Sequence, residues 1–166
     1  MKSLHDDDND LYDEEDEDTQ KDKYLTFHLA GEDYGIEIAY VTEIVGIQKI
    51  TVVPDMPVFI MGVINLRGKV IPVMDVRRRF KLPEREYDER TCIIVVDIKE
   101  TAIGLVVDKV NEVATIPEGQ IEPAPMAKQA GASRFIRGMG KIDNQVKILL
   151  SIDNLLFDHE LEQLSL

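Results

Sequence analysis

Along this chain apolar and polar residues alternate in short runs broken by turn residues, the signature of a protein built from short strands. Leu25, Phe27 and Leu29 alternate with Thr26 and His28, which predicts a half-buried strand opening at Lys23. Gly31-Glu32-Asp33 then turns the chain into a second alternating strand from Tyr34 to Ile38. Ile38, Val41, Ile44 and Val45 fall at the spacing of a short helix, and Ile50 to Val53 reads as a strand ending at Pro54. Next comes a hairpin, Val63-Ile64 and Val70-Ile71 joined through Asn65-Leu66-Arg67-Gly68-Lys69, with Gly68 placed to take a positive φ. Cys92 to Val96 opens a further apolar strand, and Phe157, Leu161 and Leu164 form one stripe of a C-terminal helix.

The pattern repeats. With Gly35 placed over Gly104, the Gly, Val and Glu of Gly35 to Ile44 recur in step in Gly104 to Val113. Phe59-Ile60-Met61-Gly62 reappears as Phe135-Ile136-Arg137-Gly138, and each copy leads through a turn to an apolar strand and an Asp, Asp75 or Asp153. A repeat of this length is too long for a solenoid unit. It predicts an all-β protein of two small β-barrels, since closing a short sheet removes edges that would otherwise template aggregation. The expected boundaries are 23–85 for the first barrel and 86–166 for the second, with the charged stretch Pro83 to Arg90 linking them. Pro123 to Ser133, rich in Pro, Ala and Gly, is expected to be a mobile insert of the second copy.

Charge changes the picture at one end. The 166 residues carry a formal charge of −13, and residues 1–22 account for a net −9 of it, with 11 acids against Lys2 and Lys21. So few apolar residues cannot offset an ordering cost of about 1 to 2 kcal/mol per residue, so an acidic, disordered tail is expected there. Asp6, Asp8, Asp10 and Glu17 match a calcium loop in spacing, but Leu11 stands where that loop needs Gly. The longest apolar run, Val58 to Ile64, is seven residues, far short of the ~18 that span a bilayer. The acidic start is no secretory signal, and the single Cys92 makes no internal disulfide, so an intracellular location is expected.

Reactive chemistry is hard to find. Gly62 to Lys69 has the wrong glycine spacing for a phosphate loop and Val70 where Ser or Thr would hold magnesium. His5, His28 and His159 are scattered, and Cys92 reads as a small buried thiol. Arg77-Arg78-Arg79 reads as a solvated helix face, and Asp75 and Asp153 as equivalent helix caps. An acid pair meeting only in space would make a hydrolase or transferase, the rival from another class. The hairpin tip is the unusual feature, because Leu66 beside Arg67 is odd where Gly, Asn, Asp and Ser prevail. Two readings stay open: a contact surface, or Leu66 folded back onto its own barrel with Arg67 paired to a local acid. The other copy has plain turn chemistry, Ile142-Asp143-Asn144-Gln145.

Taken in order, several blocks resemble the CheW family of bacterial chemotaxis coupling proteins. They are Tyr34-Gly35-Ile36-Glu37-Ile38, Val41-x-Glu43-Ile44, Pro57-x-Phe59-Ile60-x-Gly62-Val63-x-Asn65-Leu66-Arg67-Gly68 and Pro72-x-x-Asp75. Gly104-x-Val106-Val107-Asp108-x-Val110, Ile121-x-Pro123-Ala124-Pro125 and Ile148-Leu149-x-x-Ile152-x-x-Leu155-Leu156 extend the likeness, which runs from about Lys23 to Leu156. The resemblance implies two five-stranded SH3-like barrels and a non-enzymatic adaptor, without cofactor or metal. It would link chemoreceptor cytoplasmic tips to the histidine kinase CheA, in the cytoplasm at membrane receptor arrays. It carries receptor contacts onto Val41, Glu43, Arg67 and Ile93, and kinase contacts onto Gly104 and Val110. The alternative within the superfamily is the regulatory module of a larger CheA or CheV protein. Only about ten residues follow Leu156, which leaves no room for a receiver domain and favours a free adaptor as the expectation.

Overall fold

In the computed structural model the described residues are 20–124 and 131–157. Nearly all of the acidic tail, the calcium-like spacing, most of the Pro123 to Ser133 insert, and Leu161 and Leu164 of the C-terminal stripe lie outside them.

Eleven strands follow in order: β1 (Lys23–Leu29), β2 (Glu32–Glu37), β3 (Val41–Gly46), β4 (Ile60–Leu66), β5 (Lys69–Asp75), β6 (Cys92–Ile98), β7 (Thr101–Val107), β8 (Lys109–Thr115), β9 (Ile121–Glu122), β10 (Ile136–Ile142) and β11 (Gln145–Leu150). Among the described residues two short helices, α1 (Val76–Arg79) and α2 (Ile152–Phe157), each follow the last strand of a repeat. The protein is mainly β, as its alternation predicts. The helix expected through Ile38, Val41, Ile44 and Val45 is instead a single 3-10 turn, Ile38–Tyr40, followed by β3. Branched residues at 41, 42, 44 and 45 favour the extended chain, and pairing with β6 decides it.

The strands form a six-stranded sheet, in the order β8-β1-β2-β11-β10-β9, and a five-stranded sheet, β3-β6-β7-β5-β4. The two edges of each sheet are close in sequence. β8 runs through the turn Glu118–Gln120 into β9, and the chain leaving β3 reaches Thr51, which exchanges backbone hydrogen bonds of 2.8 and 2.9 Å with Val63 on β4. One copy thus has a two-residue strand where the other has a single bridging residue, and the expected five and five become six and five.

The repeat is real at the level of register. Gly35 lies beside Leu149, and Gly104 beside Val73, each across the parallel strand pair of its sheet. The hairpin tips also match: Ala30-Gly31 and Lys99-Glu100, then Arg67-Gly68 and Asp143-Asn144, all have positive φ. The first turn is therefore Ala30-Gly31, and Glu32 already belongs to β2. Asp75 N donates to Phe59 O, and Ser151 N to Phe135 O, both at 2.8 Å. The equivalent of Asp75 is therefore Ser151, not Asp153. Asp75 accepts from the Arg77 amide and Ser151 from the Asn154 amide, while Asp153 pairs with Lys99 at 3.2 Å.

The halves are interlocked. β1 and β2 sit in the sheet built by β8 to β11, whereas β6 and β7 sit with β3 to β5. The boundary expected at residue 85 divides stretches of sequence, but the sheets divide at the crossings near 38–40 and 108. The main core lies between the sheets, with Leu25, Phe27 and Ile36 from one and Ile94, Val96, Leu105 and Val107 from the other. On the far faces, Ile64, Ile71, Val73, Ile93, Val95 and Val106 fill the five-stranded sheet, and Tyr24, Ile116 and Leu149 the six-stranded one. Burial on both faces explains why β6 and β7 read as continuous apolar runs.

Candidate functional site

The β4-β5 tip is a two-residue turn in which Arg67 (φ 52°) and Gly68 (φ 85°) separate the paired residues Leu66 and Lys69. Positive φ at both positions matches the twist of the strands, and Asn65 Oδ1 accepts from the Gly68 amide at 2.8 Å. Leu66 turns back onto the cluster inside the five-stranded sheet. Arg67 reaches out, its side chain 72% exposed, and its guanidinium donates to the Glu43 carboxylate on β3. The second of the two open readings therefore describes both side chains, yet Arg67 remains available on its exposed face.

A β-bulge sets Glu43. Val41 pairs with Val96 and Glu43 with Val95, so two residues that share a face in an ideal strand here face opposite sides of the sheet. Val41 packs against the main core between the sheets, and Glu43 turns toward the cluster that contains Val95. Thr42, at the bulge, donates its hydroxyl to Val95 O at 3.1 Å. Glu43, Leu66, Arg67, Lys69, Ile71 and Val95 line a shallow open mouth at this end of the sheet.

The residues drawn from the family resemblance thus separate. Glu43 and Arg67 come together at the mouth. Ile93 is 0% exposed, one row deeper, so its side chain reaches no partner directly. Gly104 is also buried, and Val110, half-buried on β8 opposite Phe27, packs on the main core. Neither forms an open contact surface with the mouth.

Other expectations need correction. The Arg77-Arg78-Arg79 run is not a solvated face. Arg79 is buried with its guanidinium 4.4 Å from the ring centroids of both Phe59 and Phe135, and it donates to Leu155 O. Arg77 donates to Asp108 from Nε at 2.8 Å and from Nη2 at 2.7 Å. These two arginines hold the strands and helices together, a role their charge hid in the sequence. Cys92 is half-buried rather than buried, its thiol donating to Arg90 O at 3.2 Å. The linker is also more than a spacer: Tyr87 packs on the far-face cluster of the five-stranded sheet and donates to Asp75 at 2.8 Å, and burial, followed by this carboxylate, pushes its phenol well up. His28 pairs with Asp33, whose carboxyl is held down by the hydrogen bonds of Lys147 and His28.

Among the described residues no three His, Cys, Asp or Glu stand together as a metal site, and no helix is long and apolar enough to cross a membrane. What stands out is a paired-sheet body around a shared core with an exposed, ion-paired mouth, the class of protein that works by binding others. The model of the CheW-like domain matches residues 23–160. The chemotaxis protein CheW of Klebsiella aerogenes is 37% identical over 139 residues, covering 84% of this chain and 84% of that protein. CheW of Bacillus subtilis is 37% identical over 142 residues, covering 86% and 90%. The crystal structure of the scaffolding protein TtCheW from Thermoanaerobacter tengcongensis superposes with a TM-score of 0.76 at 39% identity, covering 83% of this chain and 94% of that one. The chain belongs to the CheW-like family, whose members are non-enzymatic chemotaxis scaffolds.

Proposed function

We propose that this chemotaxis scaffold couples the cytoplasmic tips of chemoreceptors to the histidine kinase CheA, acting in the cytoplasm and reaching the membrane only through its partners. The observation that carries the receptor side is the Glu43-Arg67 pair at the open mouth, where a guanidinium with most of its surface free sits above apolar residues. Arg is among the side chains that dominate protein interfaces. Receptor tips are helical hairpins, so apolar anchors beside the pair would supply binding energy at about 1.5 to 3 kcal/mol for each fully buried aliphatic side chain. Arg67 would fix register at the rim. A body without a reactive centre transmits a signal only by binding active and inactive kinase assemblies with different free energies.

Calorimetry of the purified protein with a receptor cytoplasmic fragment and with CheA tests the reading, and heat of binding from neither ends it. Arg67→Glu is expected to weaken receptor binding at least tenfold, about 1.4 kcal/mol, with the melting temperature nearly unchanged. An exposed ion pair contributes only about 0 to 1 kcal/mol to stability, so a large thermal loss would instead make Arg67 a structural residue.

A further inference from the structure

Ile93 and Gly104 are both buried, and they touch. A Cβ on Gly104 would stand 2.6 Å from Ile93 Cγ2, nearer than real Cβ atoms approach, and 3.7 Å from Val73 Cγ2. Gly104 is not among the residues with positive φ, so what glycine supplies here is space rather than backbone freedom.

The register shows where that space lies. Glu43 is opposite Val95, Val95 opposite Gly104, and Gly104 beside Val73, one row across the sheet. The next row on the same face, deeper from the mouth, carries Val45, Ile93 and Val106. Ile93 therefore leans over the bare position at Gly104, beneath the row that carries the Glu43 carboxylate. β7 is held on both sides, by β6 and β5, whereas β3 is an edge strand held by β6 alone. If a methyl group at 104 displaced Ile93, the strand free to yield would be β3, through Val45 opposite Ile93.

We infer that Gly104 is a positioning residue for the mouth: by leaving room for Ile93 it keeps β3 where Glu43 meets Arg67. Its binding consequence rests on the receptor role proposed above, but the geometry does not.

The test compares full-length Gly104→Ala, Gly104→Ala with Ile93→Ala, and Gly119→Ala, a control whose Cβ would meet nothing within 4 Å. Two readouts are taken: the guanidinium NMR resonances of Arg67 in the free protein, and titration with a chemoreceptor tip fragment. Gly104→Ala should move the Arg67 resonances toward those of Glu43→Gln and weaken the fragment several-fold. The double variant should bring both back, and the control should change neither. Arg67 resonances that stay at the wild-type position while only the melting temperature falls overturn the inference, as does a double variant that fails to recover them. Should Gly104→Ala not fold, the double variant with Ile93→Ala, which removes Cγ2 itself, must still fold with the Arg67 resonances at the wild-type position, and displaced resonances or a failure to fold overturn the inference. Wild-type protein that ignores the fragment sinks the receptor role alone, and the resonances still decide the role of Gly104.

Discussion

Asp108 occupies the corner between β7 and β8, one of the two places where the chain passes from sheet to sheet. Its carboxylate accepts from Arg77 and from the Ala30 amide at 3.0 Å, with Arg85 at 3.4 Å, so it ties α1 and the linker to the β1-β2 turn. Burial pushes this carboxyl up, but the Arg77 hydrogen bonds, the Ala30 amide and the charges of Arg77 and Arg85 outweigh it and hold the group below the usual carboxylate range. A depressed folded value stabilises the protein above the unfolded pKa of about 4, and that stabilisation is lost as pH falls through the folded value. Asp108→Asn should therefore cost about 3 kcal/mol at pH 7. The difference from wild type should shrink below about pH 4, as urea denaturation across pH would show. Strain is stored at another residue: Lys99 and Glu100 form a hairpin tip with φ of 52° and 63° and no glycine. Glu100→Gly should raise stability by about 1 kcal/mol, visible as a higher melting temperature, because the left-handed region costs an ordinary residue about 1 to 2 kcal/mol.

At the scale of elements, the two copies are joined by side chains from equivalent places. Phe59 precedes β4 and Phe135 precedes β10, and α1 inserts Arg79 between their rings while reaching the carbonyl of Leu155 on α2. A desolvated cation over an aromatic face contributes on the order of 2 kcal/mol. Arg79→Met keeps an apolar stem but removes that contact and leaves the carbonyl a donor short. It should lower stability by about 2 to 4 kcal/mol in chemical denaturation. The bulges that start β4 and β10 are equally matched, at Met61 and Arg137, each just before a glycine, Gly62 or Gly138. A Cβ at Gly62 would lie 2.1 Å from Thr51 O, the residue that ties β3's continuation to β4, so substitution there should break that tie.

For the whole molecule, the interlocked sheets predict one cooperative unit. Residues 41–107 contain the entire five-stranded sheet with its own small cluster, yet Ile94, Val96, Leu105 and Val107 on its other face share the main core with Leu25, Phe27, Leu29, Ile36 and Leu150 of the other sheet. Cut free, that face would expose several large aliphatic side chains, each costing about 1.5 to 3 kcal/mol. The intact chain should melt in a single transition by calorimetry, and a 41–107 fragment should show no cooperative transition. Two separate transitions in the intact protein would mean that the shared core couples the sheets weakly.

The alternation of apolar residues, the doubled order of elements, the hairpin with Gly68 at its tip and the oddness of Leu66 beside Arg67 were all present in the chain's linear pattern, because side-chain period and turn chemistry are local properties. Tertiary structure decided which strands share a sheet. Gly35 and Gly104 mark equivalent places 69 positions apart, but only the pairing of Gly35 with Leu149 and of Gly104 with Val73 shows that each copy lends its first hairpin to the other. Local spacing also misplaced three kinds of residue. Val41, Ile44 and Val45 read as a helical stripe until pairing with β6 makes them a strand, Arg77 and Arg79 read as surface until Asp108, Phe59 and Phe135 neutralise or cover them, and Asp153 read as a cap that Ser151 provides. In the first two cases the deciding partner lies on an element distant in sequence, and a period read along the chain carries no information about what stands opposite.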